Sequence, residues 1–132
     1  MVVLDTDILV GFLRADEEAK AKIADYYESG QRVFTTSITA FELFKGSFSM
    51  DIQSVMDVDK LVGDLEILNF DTKSSKLLGK IYSELRRKGA LIDIMDQMIA
   101  SIAIANGEAV VTRNVKHFSK ILGLSIESES IN

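Results

Sequence analysis

Val2-Val3-Leu4-Asp5-Thr6-Asp7-Ile8-Leu9 decides the fold class. Val2, Val3 and Leu4 are apolar at successive positions, so both faces of this short run are apolar. A strand of that kind is buried on both sides, as in a parallel sheet covered by helices, and not at an edge. Asp5 ends it, and from Asp7 to Arg14 the pattern turns helical, with Ile8, Leu9 and Phe12 on one side. A buried strand running straight into an amphipathic helix is the opening half of a strand–helix–strand unit.

The same alternation continues outward. Ala15-Asp16-Glu17-Glu18 interrupts the first helix, and a second is predicted over 17–29, with Ala19, Ile23 and Tyr26 or Tyr27 inward and Gly30 as its stop. Arg32 to Thr36 reads as a second strand, followed by a helix over 38–48 capped by Ser37. Residues 50–64 read as helical, with Ile52, Val55, Met56 and Leu61 as the apolar positions. Leu65 to Phe70 is predicted as a third strand. Asp71-Thr72 then caps a helix from Ser74 to Lys88, striped by Leu77, Leu78, Ile81, Tyr82 and Leu85 and closed by Gly89. Asp93 to Asn106 is a helix apolar almost all round, hence buried. Ala109 to Thr112 is a fourth buried strand, and Leu124-Ser125-Ile126 a weak fifth. The expectation is one domain over 1–132: a three-layer α/β/α fold with a mainly parallel sheet of four to five strands.

Composition bounds the chemistry. The 132 residues carry 15 Lys+Arg against 20 Asp+Glu, a net charge of −5, with 47% hydrophobic residues. No Cys is present, which excludes disulfides, thiolate zinc sites and thiol nucleophiles. A single His excludes multi-histidine metal sites and disfavours a serine triad. The absence of Pro and the presence of only 8 Gly argue against linkers and disorder. No apolar run approaches the roughly 18 residues of a membrane span. With no basic segment before Val2, a signal peptide is not expected, and the expected location is the cytoplasm without membrane attachment.

Ligands of open α/β sheets gather beyond the carboxyl ends of the strands. Asp5 ends the first strand, and Thr112, Arg113 and Asn114 end the fourth. Glu42 lies in the largely apolar stretch Ile38 to Phe44, at the margin of its core face, and Asp93 and Asp96 open the most hydrophobic helix one turn apart. Each acid alone has an ordinary structural reading. Asp5 and Asp93 suit helix N-caps, Asp7 and Asp96 suit a first helical turn, and Glu42 suits pairing with Lys45. Together, Asp5, Glu42, Asp93 and Asp96 come from three segments that a parallel α/β domain can bring to one end. Oxygen donors without His or Cys suit Mg²⁺ or Mn²⁺, and a carboxylate cage around such ions suits phosphodiester cleavage.

The order of motifs is similar to a known family. Val3-Leu4-Asp5-Thr6-Asp7-Ile8-Leu9 is followed by Thr39-Ala40-Phe41-Glu42-Leu43, then Asp96-Gln97-Met98-Ile99-Ala100, then Val111-Thr112-Arg113-Asn114-Val115-Lys116-His117-Phe118 leading to Gly123-Leu124. This resembles a PIN-domain ribonuclease of the VapC toxin type, over essentially the whole chain. The resemblance implies a Mg²⁺- or Mn²⁺-dependent endoribonuclease, a cognate antitoxin that blocks the site, and a homodimer. Carried over by motif, the metal-site acids are Asp5, Glu42 and Asp96, which would be the catalytic set, with Asp93 as an accessory acid. The chain departs from the family in two places: Asn114 stands where many members have a fourth acid, and His117 where related sequences often have Asp. Thr6 and Thr112 are candidates for orienting water or phosphate. Arg14, Lys45, Arg113 and Lys116 are candidates for RNA phosphates, with single-stranded RNA as the natural substrate. Phe44, Phe48 and Met50 are apolar candidates for antitoxin or dimer contacts, or for core.

Two other readings compete. Asp5-Thr6-Asp7 matches the opening of a haloacid-dehalogenase-type phosphatase with Asp5 as nucleophile. However, Leu9 stands where Thr or Val is expected, and no later Gly-Asp-x-x-x-Asp follows. The other is a catalytically weakened PIN fold kept for binding protein or RNA, which Asn114 favours.

Overall fold

A computed structural model describes residues 1–128. The elements run β1 (Val2–Leu4), α1 (Thr6–Leu13), α2 (Glu17–Glu28), β2 (Val33–Thr36), α3 (Ser37–Phe48), α4 (Ile52–Asp64), β3 (Glu66–Leu68), α5 (Thr72–Arg87), α6 (Ile94–Ala105), β4 (Ala109–Thr112), α7 (Val115–Phe118) and β5 (Ile126–Ser128). The strands form one sheet in the order β3-β2-β1-β4-β5. Every pairing is parallel, with Val3 opposite Phe34 on one side and Val110 on the other. The all-parallel sheet and its covering helices agree with the α/β architecture expected from the sequence.

The strand pleat explains the three layers. Val2 and Leu4 face one way, into a cluster with Ile8 and Leu9 of α1, Ile23 and Tyr26 of α2 and Val58 of α4. Val3 faces the other, into a cluster with Ile81 and Leu85 of α5, Ile99, Ala100 and Ala103 of α6, and Phe118 of α7. A central strand sandwiched in this way must be apolar at every position, as Val2, Val3 and Leu4 are. Helix α3 turns about the sheet, with Leu43 in the first cluster and Ile38 packed against the second.

Several boundaries differ from the sequence reading. Thr36, not Ser37, caps α3: its side chain accepts from the Thr39 N–H, while the Ser37 hydroxyl accepts from the Phe70 N–H. In α4 the inward stripe is Val58, Leu61, Val62 and, just beyond the helix, Leu65, a spacing of three, one and three. Ile52 and Met56, two of the apolar positions read from the sequence, are 74% and 58% exposed. The strand β3 is shorter than expected and lies at an edge, and β5 starts at Ile126 instead of Leu124. The one-turn helix α7 carries too little periodicity to be read from sequence. Among the described residues no helix is long and apolar enough to cross a membrane.

The link from α1 to α2 shapes the site. Helix α1 ends with Ala15 in the left-handed region (φ 60°). The Ala15 N–H donates to Phe12 O at 3.1 Å and the Asp16 N–H to Gly11 O at 2.9 Å. This is a Schellman ending, in which glycine usually takes the left-handed position. It delivers Asp16 to the mouth of the cleft described next.

Candidate active site

β1 pairs with β2 on one side and β4 on the other, so the chain order reverses beside β1. The crevice beyond the carboxyl ends of β1 and β4 is therefore the topological switch point, where ligands of such sheets bind. Asp5 and Thr112 meet there. Asp5 is 4% exposed. One carboxylate oxygen accepts from the Thr6 N–H at 2.7 Å, which also caps α1, and the other accepts from the Thr112 hydroxyl at 2.7 Å. The Thr112 oxygen accepts in turn from the Asn114 N–H at 2.9 Å.

Four acids line one cleft at this point: Asp5, Asp7, Glu42 and Asp96, with Asp16 at its margin. Thr6 donates its hydroxyl to Glu42 Oε1 at 2.7 Å, tying α1 to α3. Asp7 Oδ2 accepts from the Arg113 N–H at 3.1 Å, while Asp7 Oδ1 is buried without a partner. Asp96 enters from the first turn of α6. The start of that helix is fixed by buried Gln97, whose amide donates to Ile92 O at 2.9 Å. Asp96 Oδ2 lies 3.5 Å from Asn114 Nδ2 and 3.4 Å from His117 Nδ1.

The electrostatics follow from burial. Loss of water pushes the Asp5 carboxyl up to about 7, with Asp7 and then Asp96 adding repulsion against the pull of the Thr112 and Thr6 hydrogen bonds. Burial also raises Asp7, opposed chiefly by the Arg113 N–H. Asp96 is raised first by burial and, against its contact with His117, by the charges of Asp93 and Glu42.

These features suit a hard divalent cation, as does an orphaned carboxylate oxygen among oxygen-only donors. The arrangement is not a ready-made cage, because among the described residues no three or more acids or imidazoles stand where they could hold one ion. Mg²⁺ does not need such a cage, since it commonly binds one or two carboxylates and keeps several waters.

Of the other residues singled out in the sequence, Arg14, Arg113, Thr6 and Asn114 line the cleft and Thr112 lies beneath it. Arg113 forms an ion pair with Asp16 across the mouth. Asp93 is exposed and does not line the cleft; it caps α6 through the Met95 N–H at 2.7 Å. Lys45 and Lys116 are also exposed and outside it, Lys45 lying 5.9 Å from the centroid of the Phe41 ring. From sequence alone Asp7 reads first as a helix-start acid and is not among the metal-site acids. Its position two residues past the strand-ending Asp5 is the signal that it shares the crevice. Asp16 reads from sequence as part of a helix break.

Residues 2–123 match the family model described as PIN domain. The chain is 34% identical over 100 residues to Ribonuclease VapC3 of Methanocaldococcus jannaschii, an alignment covering 76% of this chain and 95% of that protein. It is 37% identical over 98 residues to the tRNA(fMet)-specific endonuclease VapC of Salmonella typhimurium, covering 73% of this chain and 74% of that protein. Among solved structures, VapBC2 from Rickettsia felis bound to a DNA fragment from its promoter superposes with a TM-score of 0.88 at 29% identity, covering 97% and 98% of the two chains.

Proposed function

The chain belongs to the PIN-domain family and, within it, to the VapC proteins, and from that premise we propose that it is a Mg²⁺- or Mn²⁺-dependent endoribonuclease, the toxin of a toxin–antitoxin pair. The observation that carries this reading is the convergence of Asp5, Asp7, Glu42 and Asp96 on one cleft at the β1/β4 switch point. Family membership sets aside the phosphatase alternative, and the geometry agrees: both oxygens of buried Asp5 are engaged by hydrogen bonds, which suits a fixed ligand better than an attacking nucleophile.

Asp5 and Asp96 are the residues that would hold the cation, with Glu42 and Asp7 completing the acids of the cleft. Asp93 adds charge behind Asp96 from outside the cleft. A divalent cation held there activates water and offsets charge on the scissile phosphate. The chain's own part is positioning. Thr112 and the Thr6 N–H hold Asp5, the Thr6 hydroxyl holds Glu42, and the Arg113 backbone holds Asp7, so the acids are set before substrate arrives. Arg14 and Arg113, at the cleft, are the proposed phosphate contacts for single-stranded RNA; Lys45 and Lys116 serve a path that continues beyond it. The proposed partners are a cognate antitoxin and a second copy of the chain, with exposed Phe48 and Met50 and half-buried Phe44 as contact candidates.

The test is cleavage of mixed single-stranded RNAs by purified protein with Mn²⁺. Cleavage that stops with chelator and in Asp5→Asn and Asp96→Asn is expected. Cleavage unchanged in either variant refutes the assignment.

A further inference from the structure

The ion pair between Asp16 and Arg113 spans the cleft mouth, from the α1–α2 link to the end of β4. Its side chains are 34% and 37% exposed, and an ion pair so open to water contributes little to stability. The chain nevertheless builds a seat for it. Ala15 takes the left-handed conformation, the one non-glycine residue to do so among those described, and so brings Asp16 to the mouth. The Asp16 carboxylate is then divided: Oδ1 caps α2 by accepting from the Glu18 N–H at 3.1 Å, and Oδ2 accepts from Arg113. Gly11 leaves room beneath the pair, since a Cβ there would lie 3.3 Å from both Arg113 Nη2 and Asp16 Oδ2.

The other side of the pair is fixed as well. The Arg113 N–H donates to Asp7 Oδ2, and the hydroxyl of the preceding Thr112 donates to Asp5. The arginine is therefore tied to the acids by its backbone and to the α1–α2 link by its guanidinium. Capping alone needs one side-chain oxygen, which Ser or Asn supplies as well as Asp does. The second oxygen of Asp16 does what a cap does not: it holds a guanidinium at the mouth of the cleft. A guanidinium is a planar fork of N–H donors, so it can face a carboxylate along one edge and a phosphate along another. One already held in place loses less side-chain freedom when a phosphate binds.

We infer that Asp16 is a positioning residue for the substrate: it seats the Arg113 guanidinium over the bare backbone of Gly11, where it receives an RNA phosphate entering the cleft. The contact lies at the mouth, and Asp5 is buried beneath. It is therefore made alike in the ground state and the transition state, and its loss falls on KM more than on kcat. The opposite arrangement is a latch, in which Asp16 withholds Arg113 from RNA. A latch, like simple repulsion between Asp16 and phosphate, gives effects of the opposite sign. The inference rests on the ribonuclease reading given above.

Asp16→Ser separates the two roles, because Ser still caps α2 but is too short to hold Arg113. In cleavage of a single-stranded RNA with Mn²⁺, this variant is expected to raise KM about fivefold or more with kcat little changed. Asp16→Asn keeps the cap and offers Arg113 only an uncharged acceptor. Its KM is expected to fall between the two, and it carries the test if Asp16→Ser does not fold. Arg113→Gln is expected to raise KM at least as far, and adding Asp16→Ser to it should change nothing more. Binding of the same RNA in chelator, read by fluorescence anisotropy, should depend less steeply on salt in Asp16→Ser, by about 0.7 in the slope of log K against log salt. A lowered KM or a steeper salt slope in Asp16→Ser overturns the inference in favour of a latch or simple repulsion. An unchanged KM overturns it too, as does a rise that persists in the Arg113→Gln background. A wild-type protein that cleaves none of a mixed set of single-stranded RNAs overturns the ribonuclease reading, and the inference with it.

Discussion

Replacing Asp5 with Asn should make the metal-free protein more stable while abolishing its activity. Burial and the neighbouring acids raise the Asp5 carboxyl from 3.8 to about 7. At about 1.4 kcal/mol per unit, keeping this group ionised above pH 7 costs the folded state about 4 kcal/mol, an upper bound. The folded protein holds the proton more tightly than the unfolded chain, so stability is greatest at low pH and falls as pH rises from about 4 to about 7. Asn carries no charge at any pH. It keeps an acceptor for the Thr6 N–H and loses one for the Thr112 hydroxyl, a loss of about 1–2 kcal/mol. The expected net gain at pH 8 is about 2–3 kcal/mol, or roughly 6–12 °C in Tm for a chain of this length. At pH 5 about 3 kcal/mol of the penalty on the wild type is already relieved, so the two proteins should melt together. The assay is calorimetric melting of both proteins in chelator at the two pH values. A destabilised Asp5→Asn at pH 8, or an advantage equally large at pH 5, refutes the reasoning.

Other expectations follow from the same geometry. Mn²⁺ or Mg²⁺ at about 100 times its Kd should raise the stability of the wild type by about 3 kcal/mol, read as a shift in melting midpoint, and Asp96→Asn should remove most of that shift. Thr6→Val deletes the hydroxyl that holds Glu42, so RNA cleavage should fall about tenfold or more while the circular dichroism spectrum stays unchanged. At Gly11 an added Cβ would meet Ala19 Cβ at 3.1 Å and Arg113 Nη2 and Asp16 Oδ2 at 3.3 Å, so Gly11→Val should cost about 1–3 kcal/mol in denaturant unfolding. Ala15→Gly should gain about 0.5–1 kcal/mol by relieving a left-handed backbone, since the Schellman hydrogen bonds are kept.

The fold was legible where pattern and burial coincide. Val2-Val3-Leu4 and Ala109-Val110-Val111 declare a double-sided core, and the β1 and β4 strands they mark are central. Helix α4 was harder to read. Its sequence offers apolar residues on two faces, and only packing against α3 and the sheet selects Val58, Leu61 and Val62 over exposed Ile52 and Met56. Within the site, Asp5 and Asp96 were legible because they stand at a strand end and a helix start. Asp7 was obscured because an acid in a first helical turn already has an ordinary explanation, and its contact with the Arg113 backbone links residues that lie far apart in sequence. Asp93 is held away from the cleft by capping α6 through the Met95 N–H, and Lys45 and Lys116 stand at exposed helix positions that spacing alone does not place relative to the cleft.

The most direct test is anomalous diffraction from crystals of the wild-type protein soaked in Mn²⁺. A peak within about 2.5 Å of carboxylate oxygens of Asp5 or Asp96, in the cleft between β1, β4 and α6, is the expected result. No peak in the cleft of crystals that leave it open, or a peak only at surface acids such as Asp93, would contradict the assignment of this crevice as the cation-dependent centre.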